Sequence, residues 1–295
     1  MQKPNEIREH IAAIEQTRKI TGAMEMISSN RMRQVMGHIE HNRRYFMYIR
    51  RSMKEIVASS QDVSHPYFTD RKLNHRTYVV ISGDKGFCGA HNSNVLSYAL
   101  ALVREDPGSG LITLGHTAEA FFLSHGIQPD ICLLGIVQDP TLTRAREVAQ
   151  ALTELYENGH TDEIIAIYTS FYGQTKRQPV ESRLLPVMLP DYEDIRDAQV
   201  LEEIIYHPSA QRVLDLMIPQ YVIGLVFGVM VQAYASEHFA RMTAMRSATS
   251  NAKDMIDRLN TQYNLARQSA ITNELAEIAG AAEVLRGDSE NGEQY

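Results

Sequence analysis

The sequence predicts an α/β fold in which a long antiparallel coiled coil, formed by the N- and C-terminal helices, carries an inserted Rossmann-like α/β domain. Two observations predict it. Apolar residues near both ends of the chain recur at alternating spacings of three and four, which is the period of a coiled-coil seam. The middle of the chain alternates short apolar runs with amphipathic stretches, which is typical of a parallel sheet with helices between its strands.

The C-terminal helix is predicted over residues 208–285. Its seam residues are spaced by three and four without a break: Met242, Met245, Thr249, Ala252, Ile256, Leu259, Tyr263, Ala266 and Ala270. At about 1.5 Å of rise per residue, such a helix is several times longer than a small domain is wide. It therefore needs a partner helix, and the small seam residues allow that partner to come close.

A second long helix is predicted over residues 1–60, where apolar residues again follow a helical period and no proline follows Pro4. The spacing of three and four slips between Ile14 and Ile20, which indicates a stutter in the supercoil. Because both ends of the chain carry an apolar stripe, the simplest way to bury both stripes is antiparallel pairing of the two helices.

The segment between the two helices, residues 61–207, is predicted to be the α/β domain. Its elements are predicted as strands at 78–81, 111–114, 131–136 and 163–169, helices at 92–104, 117–125 and 141–158, and a last extended piece at 180–189. The alternation predicts a parallel, open sheet. Residues 286–295 form a polar tail, for which the composition predicts disorder.

Composition excludes several classes of function. The formal net charge of −7 over 295 residues argues against a general nucleic-acid binder. Two cysteines, Cys88 and Cys132, are far apart in the sequence, so neither a disulfide framework nor a zinc site is indicated. The sequence also lacks the apolar run of a transmembrane helix and the apolar core of a signal peptide, which predicts a cytoplasmic protein.

The turn after the first predicted strand, residues 82–89, is the place where a doubly wound fold would bind a phosphate. Its glycines, Gly83, Gly86 and Gly89, match neither the dinucleotide-binding fingerprint nor a Walker loop. The spacing therefore favours a tight strand-to-helix turn, and no cofactor is predicted. A nucleotide-binding α/β enzyme remains the hypothesis that rests on this turn.

Other candidate sites are weaker. His38 and His41 lie three residues apart on a helix, but the sequence offers no third metal ligand. Residues 236–238 read Ser-Glu-His, the residue types of a hydrolytic triad, yet adjacent helical residues point in different directions. The sequence therefore predicts no catalytic residues and no metal site.

Four motifs point to a known family. Residues 17–26 read TRKITGAMEM, residues 82–89 read SGDKGFCG, residues 235–245 read ASEHFARMTAM, and residues 263–278 read YNLARQSAITNELAEI. In this order, and across nearly the whole chain, they resemble the gamma subunit of rotary F-type ATP synthases.

The resemblance implies a central-stalk rotor subunit. Such a subunit has no catalytic residues of its own and transmits rotation from the membrane c-ring to the catalytic alpha/beta hexamer, for proton- or sodium-coupled ATP synthesis or hydrolysis. It implies alpha, beta and epsilon subunits and the c-ring as partners, and a peripheral position on the cytoplasmic face of the plasma membrane. The resemblance also implies roles for individual residues: Arg267, Gln268, Thr272 and Glu274 in coupling to the beta subunit, Met24 and Arg241 where shaft and hexamer meet, and Tyr206 near the c-ring.

The chain departs from the family pattern at several positions. Gly22 stands where the family usually has a basic residue, the turn has Lys85 where arginine is commoner, and a polar tail follows Leu285. These departures keep open a divergent copy in an alternative ATPase, and a gamma-like scaffold that is not assembled in a rotary ATPase. The motif around Arg267 and Gln268 argues against the scaffold.

Overall fold

The computed structural model describes residues 4–59, 65–68, 71–72, 74–171, 178–187 and 206–292. As predicted, two very long helices stand at the two ends of the chain, and shorter helices and strands lie between them in the sequence. The helices are α1 (Pro4–Ser59), α2 (His91–Glu105), α3 (His116–Ser124), α4 (Leu142–Glu157) and α5 (Ala210–Gly292), and the strands are β1 (Arg76–Ile81), β2 (Gly110–Leu114), β3 (Ile131–Leu133), β4 (Glu163–Thr169) and β5 (Pro179–Leu185).

Within the described residues the strands form one sheet in the order β3-β2-β1-β4-β5. The first four strands are parallel, as predicted, whereas β5 runs antiparallel to β4. A parallel neighbour needs a crossover of about a dozen residues or more, and the chain between Thr169 and Pro179 is shorter than that. Strand β3 ends at Leu133, earlier than predicted, because Gly135 has a φ of 72° and turns the chain out of the sheet.

The sheet is buried on both faces, and β1 shows how the sequence divides between them. Val79 and Ile81 belong to a core that includes side chains of α1, α4 and α5. Tyr78 and Val80 belong to a second core with α2 and α3. Successive side chains of a strand point to opposite faces, so an unbroken apolar run is what a sheet covered on both faces requires.

The chain forms two compact units, which are described separately. One consists of Ile27–Ala244, and the other of Met1–Met26 together with Met245–Tyr295. The unit Ile27–Ala244 contains the whole sheet and parts of both long helices. The predicted α/β domain, residues 61–207, does not include those helical parts, although residues of α5 between Ala210 and Ala235 belong to the core on one face of the sheet.

In the unit Ile27–Ala244, α1 and α5 run close together and antiparallel. A Cβ built on Gly224 would lie 2.8 Å from Cζ of Phe46, and one on Gly228 would lie 2.7 Å from Nδ2 of Asn42. The Phe46 ring also meets Tyr221 edge to face, with ring centroids 5.4 Å apart. Glycines on α5 therefore let the two backbones approach.

In contrast to the expectation from the sequence, helix α5 contains a stretch that is long enough and apolar enough, by length and composition alone, to cross a membrane. Half of its most apolar window is buried inside the protein, and Val222, Val226 and Met230 belong to the sheet core. Packing against the sheet explains the apolar composition, because a core helix and a membrane helix pass the same test.

In the other unit, the predicted seam is confirmed. Every seam residue from Met245 to Ala270 is buried or half-buried. Thr249 donates a hydrogen bond to Oγ1 of Thr21 at 2.8 Å, and Arg246 pairs with Glu25 at 2.8 Å between Nε and Oε1. Residues 21 and 25 thus face residues 249 and 246, which is the antiparallel order expected for the two helices.

Candidate functional site

The glycine turn, residues 82–89, follows β1 and is fastened to two neighbouring elements. Ser82 donates its N–H to the Leu114 carbonyl at 3.0 Å, which continues the pairing of β1 with β2. Gly83 donates its N–H to Oδ1 of Asn92, on the first turn of α2, at 3.1 Å. A Cβ on Gly115 would lie 2.3 Å from the Ser82 carbonyl oxygen, so this close approach of two loops requires glycine.

The same turn caps α3 and exposes an aromatic ring. Oδ1 of Asp84 accepts a hydrogen bond from the N–H of His116 at 2.6 Å, at the N-terminus of α3, where a carboxylate is favourable. Phe87 has a φ of 62°, a conformation that is uncommon for residues other than glycine, and its side chain is 69% exposed. The surrounding hydrogen bonds hold the turn in this conformation.

An arginine of α5 binds the turn from another side. The Arg241 guanidinium donates from Nη2 to the Lys85 carbonyl and from Nε to the Gly86 carbonyl, each at 3.1 Å. Nη2 also pairs with Oε1 of Glu237 at 2.5 Å, one helical turn earlier. Arg241 and Glu237 are each 8% exposed. We call this arrangement the Glu237–Arg241 clasp.

Burial and charge shift the pKa values of the groups around the clasp. Burial raises the pKa of the Glu237 carboxyl, although the positive charge of Arg241 opposes the shift. Burial also lowers the pKa of His238 to about 3, and Arg241 and Arg31 add to that effect. His238 is therefore neutral at physiological pH, and its ring packs on Tyr234 with centroids 4.3 Å apart.

A polar cavity of about 90 Å³ lies beside the clasp and is lined by side chains of both signs. Oδ2 of Asp84 and Nδ1 of His238 are buried there, and neither has a hydrogen-bond partner among the described residues. The carbonyls of Lys85 and Gly86 point to an arginine, whereas a phosphate would need amide groups pointing to it. The turn carbonyls therefore bind the Arg241 guanidinium.

The other weak candidate residues make contacts within the protein. Glu237 of the Ser-Glu-His sequence is engaged by Arg241, and no hydrogen bond joins Ser236 to His238 in the described chain. His38 meets the Phe227 ring edge to face at 6.4 Å, and Nδ1 of His41 lies 2.7 Å from the Gly37 carbonyl. Among the described residues, no group of three or more potential ligands could hold a metal ion.

The C-terminal part of α5 has different surroundings. From Ile271 to Gly280 every side chain is exposed, because the paired seam ends at Ala270. Several exposed residues of this region are large and apolar: Leu265, Ile271, Leu275 and Ile278. A single helix with exposed apolar residues on it is suited to binding a partner surface.

Comparison with known proteins identifies the family. A family model described as ATP synthase matches residues 3–285. The ATP synthase gamma chain of Caldanaerobacter subterraneus subsp. tengcongensis is 34% identical over 93% of this chain and 97% of its own length. That of Symbiobacterium thermophilum is 36% identical over 95% of this chain and 98% of its own length. The chain belongs to the ATP synthase gamma chain family.

Chains in solved structures of ATP synthases have a similar fold. A chain of the Euglena gracilis mitochondrial ATP synthase matches with a TM-score of 0.66 at 17% identity, covering 97% of this chain and 95% of that one. A chain of the Tetrahymena thermophila central stalk and c-ring matches with a TM-score of 0.59 at 20% identity, covering 78% and 99%. At these identities the likeness establishes the fold alone.

The site residues implied by the gamma-chain resemblance lie in both units. Arg267, Gln268, Thr272 and Glu274 are exposed on α5, and Met24 is half-buried on α1, in the unit formed by both chain ends. Thr272 donates its hydroxyl to the Gln268 carbonyl at 2.9 Å. The coupling roles of these residues stay predictions.

The unit Ile27–Ala244 holds the other two implied residues. Tyr206 is half-buried and packs on the sheet core, and Arg241 belongs to the clasp. Sequence reasoning missed Glu237 as a site residue. The sequence signal that could have identified it is the spacing of four between Glu237 and Arg241, which places an acidic and a basic side chain on the same face of a helix.

Proposed function

We propose that this chain is the central-stalk rotor subunit of an F-type ATP synthase. It transmits rotation between the membrane c-ring and the catalytic alpha/beta hexamer, in proton- or sodium-coupled ATP synthesis or hydrolysis, and carries no catalytic residues itself. The observation that carries the proposal is full-length similarity to gamma chains. The exposed C-terminal part of α5 supports it, because Leu275 and Ile278 need a partner surface.

The partners follow from the same proposal. The alpha and beta subunits surround the shaft, the epsilon subunit and the c-ring bind the α/β domain, and Tyr206 lies near the c-ring. The chain is then a peripheral protein on the cytoplasmic face of the plasma membrane. The similar Tetrahymena chain comes from a structure of the central stalk and c-ring, which supports this arrangement.

The coupling surface is the exposed part of α5, and the half-buried Met24 and the buried Arg241 lie where shaft and hexamer meet. Arg267, Gln268 and Glu274 offer charged and polar groups that can make directional bonds to a beta subunit and break them as the shaft turns. A ligand shifts a conformational equilibrium only by its differential affinity for the states. An asymmetric shaft satisfies this condition, because it presents a different face to each of the surrounding catalytic subunits.

Native mass spectrometry tests the proposal. The chain is co-expressed with the alpha and beta subunits of its own organism, and the masses of the complexes are measured together with ATPase activity. We expect one copy per three alpha and three beta subunits, and ATPase activity that depends on this chain. A chain that stays free, or that binds unrelated proteins, would support the alternative of a gamma-like scaffold outside a rotary ATPase.

A further inference from the structure

We propose that Glu237 is a positioning residue for torque transfer. Through Arg241 it locks the glycine turn, and with it the α/β domain, to helix α5, so that domain and helix rotate without slip. This inference rests on the proposed rotor function. It assigns a task to a buried ion pair that lies inside the subunit, in addition to the surfaces that bind the partners.

The geometry gives Glu237 its part in the clasp. Nη2 of Arg241 is shared between the Glu237 carboxylate at 2.5 Å and the Lys85 carbonyl at 3.1 Å. A guanidinium is planar and its donors have fixed directions. Fixing Nη2 against the carboxylate therefore also fixes Nε, which reaches the Gly86 carbonyl at 3.1 Å.

The Glu237 side chain also interlocks with the turn by shape. A Cβ built on Gly83 would lie 2.7 Å from Cδ and 2.8 Å from Oε1 of Glu237. The carboxyl group thus occupies the space that any other residue at position 83 would need. Gly83 is itself held by its hydrogen bond to Asn92, so α5 can move along the turn only by breaking these contacts.

The burial of the pair indicates a directional task. Apolar packing of α5 on the sheet contributes stability, but it is non-directional. A buried ion pair adds little stability compared with apolar residues of similar volume, and one established use of such pairs is to fix a register. A shaft under torque needs a fixed register between α5 and the domain, and one guanidinium that reaches two carbonyls of the turn and the Glu237 carboxylate supplies it.

The test uses the Glu237→Gln variant in the complete, membrane-bound ATP synthase. Glutamine keeps the shape of the side chain and removes its charge. Two quantities are measured: hydrogen–deuterium exchange of the Gly83 and His116 amides, and the number of ions pumped per ATP hydrolysed. The matched control is Glu55→Gln, which breaks an exposed Arg51–Glu55 pair of the same spacing, 2.9 Å between Nε and Oε1.

We expect the Gly83 and His116 amides to exchange at least about tenfold faster in Glu237→Gln, because the hydrogen bond from Arg241 then no longer joins two charged groups and holds the turn less firmly. The number of ions pumped per ATP is expected to fall while the complex stays assembled, and Glu55→Gln is expected to match the wild type in both measurements. A role in folding alone would lower the yield of complex and leave the pumping ratio of assembled complexes unchanged, which would overturn the inference.

A second variant keeps the inference testable if Glu237→Gln does not assemble. Gly83→Ala forces the Glu237 carboxylate to move and leaves both charges in place, so it is expected to reduce the pumping ratio in the same way. Wild-type ratios in either assembled variant would overturn the positioning role. A wild-type complex that pumps no ions at all would instead contradict the proposed rotor function.

Discussion

Arg241 and Arg267 lie on the same helix, and the family resemblance assigns both to coupling, yet they have opposite surroundings. Arg241 is 8% exposed and donates to two carbonyls and a carboxylate. Arg267 is exposed, and no hydrogen bond or ion pair holds it within the described residues. Our proposal therefore assigns the two arginines different tasks: Arg241 holds parts of the subunit together, and Arg267 contacts a partner subunit.

The same contrast extends to whole segments of α5. Between residues 221 and 242 every side chain is buried or half-buried in the unit Ile27–Ala244. Between residues 271 and 280 every side chain is exposed in the other unit. Substitutions that disturb the packing of the first segment should therefore lower stability, whereas substitutions in the second segment should disturb no packing within the subunit. Four predictions follow this contrast; the first has the largest expected effect on stability and the last has the smallest.

The largest effect is expected for Arg241→Ala. This change leaves the Glu237 carboxylate buried without its partner, which should lower the free energy of unfolding by about 3 kcal/mol. Chemical denaturation of the isolated chain, followed by circular dichroism, measures the difference from wild type. A loss below about 0.5 kcal/mol, the range of ordinary surface substitutions, would contradict the buried geometry of the clasp.

Two glycines of α5 should respond to alanine with opposite sign. At Gly224 the new Cβ would lie 2.8 Å from Cζ of Phe46, and overpacking of this kind destabilises by about 1 kcal/mol or more. At Gly280 no atom lies within 4 Å of the new Cβ, so alanine should stabilise the helix by up to about 1 kcal/mol. Thermal unfolding of both variants checks the pair. Equal shifts of the melting temperature in both variants would show that the surroundings of the two glycines do not differ in packing.

The pH dependence should also reveal the buried segment. The pKa of His238 is about 3 in the folded chain and 6.5 as its ordinary value. Between these values the unfolded chain binds more protons than the folded one. The stability that depends on a neutral His238 is therefore fully present above pH 6.5. As the pH falls below that value, the free energy of unfolding decreases by up to about 1.4 kcal/mol per pH unit.

The variant His238→Gln tests that slope. It should lose less stability than the wild type between about pH 6.5 and pH 5, as measured by urea denaturation at each pH. The raised pKa of Glu237 acts in the opposite direction, since its protonation relieves the burial of a charge as the pH falls. His65, whose pKa is also lowered by burial, remains in both proteins. Identical slopes for variant and wild type would contradict the burial of a neutral His238.

The smallest change in stability is expected for Arg267→Ala. An exposed side chain without a partner in the described chain should change the free energy of unfolding by no more than about 0.5 kcal/mol. Ion-driven ATP synthesis by the assembled complex should nevertheless fall, because a charged contact to the beta subunit is removed. Arg258→Ala, an exposed arginine on the same helix, is the control. Full synthesis in Arg267→Ala would remove this residue from the coupling surface.

Much of the fold could be predicted from the sequence because its signals are local. A helical seam repeats every few residues, so the burial of Ala252, Ile256 and Leu259 follows from their spacing. The strand-turn-helix around residues 82–89 and the parallel strands are also local patterns. Composition predicted disorder for residues 286–295, whereas α5 continues beyond Leu285 to Gly292.

Only the tertiary structure decided which residues of these elements contact one another. The bond between Arg241 and the Gly86 carbonyl joins residues 155 positions apart, and no spacing rule connects them. The turn's glycines suggested a ligand or a tight bend, whereas Gly83 makes room for the Glu237 carboxylate. Periodicity in the sequence determines which face of a helix is buried. Which groups meet on that face depends on packing between distant segments, and that packing gives Arg241 and Arg267 their different surroundings.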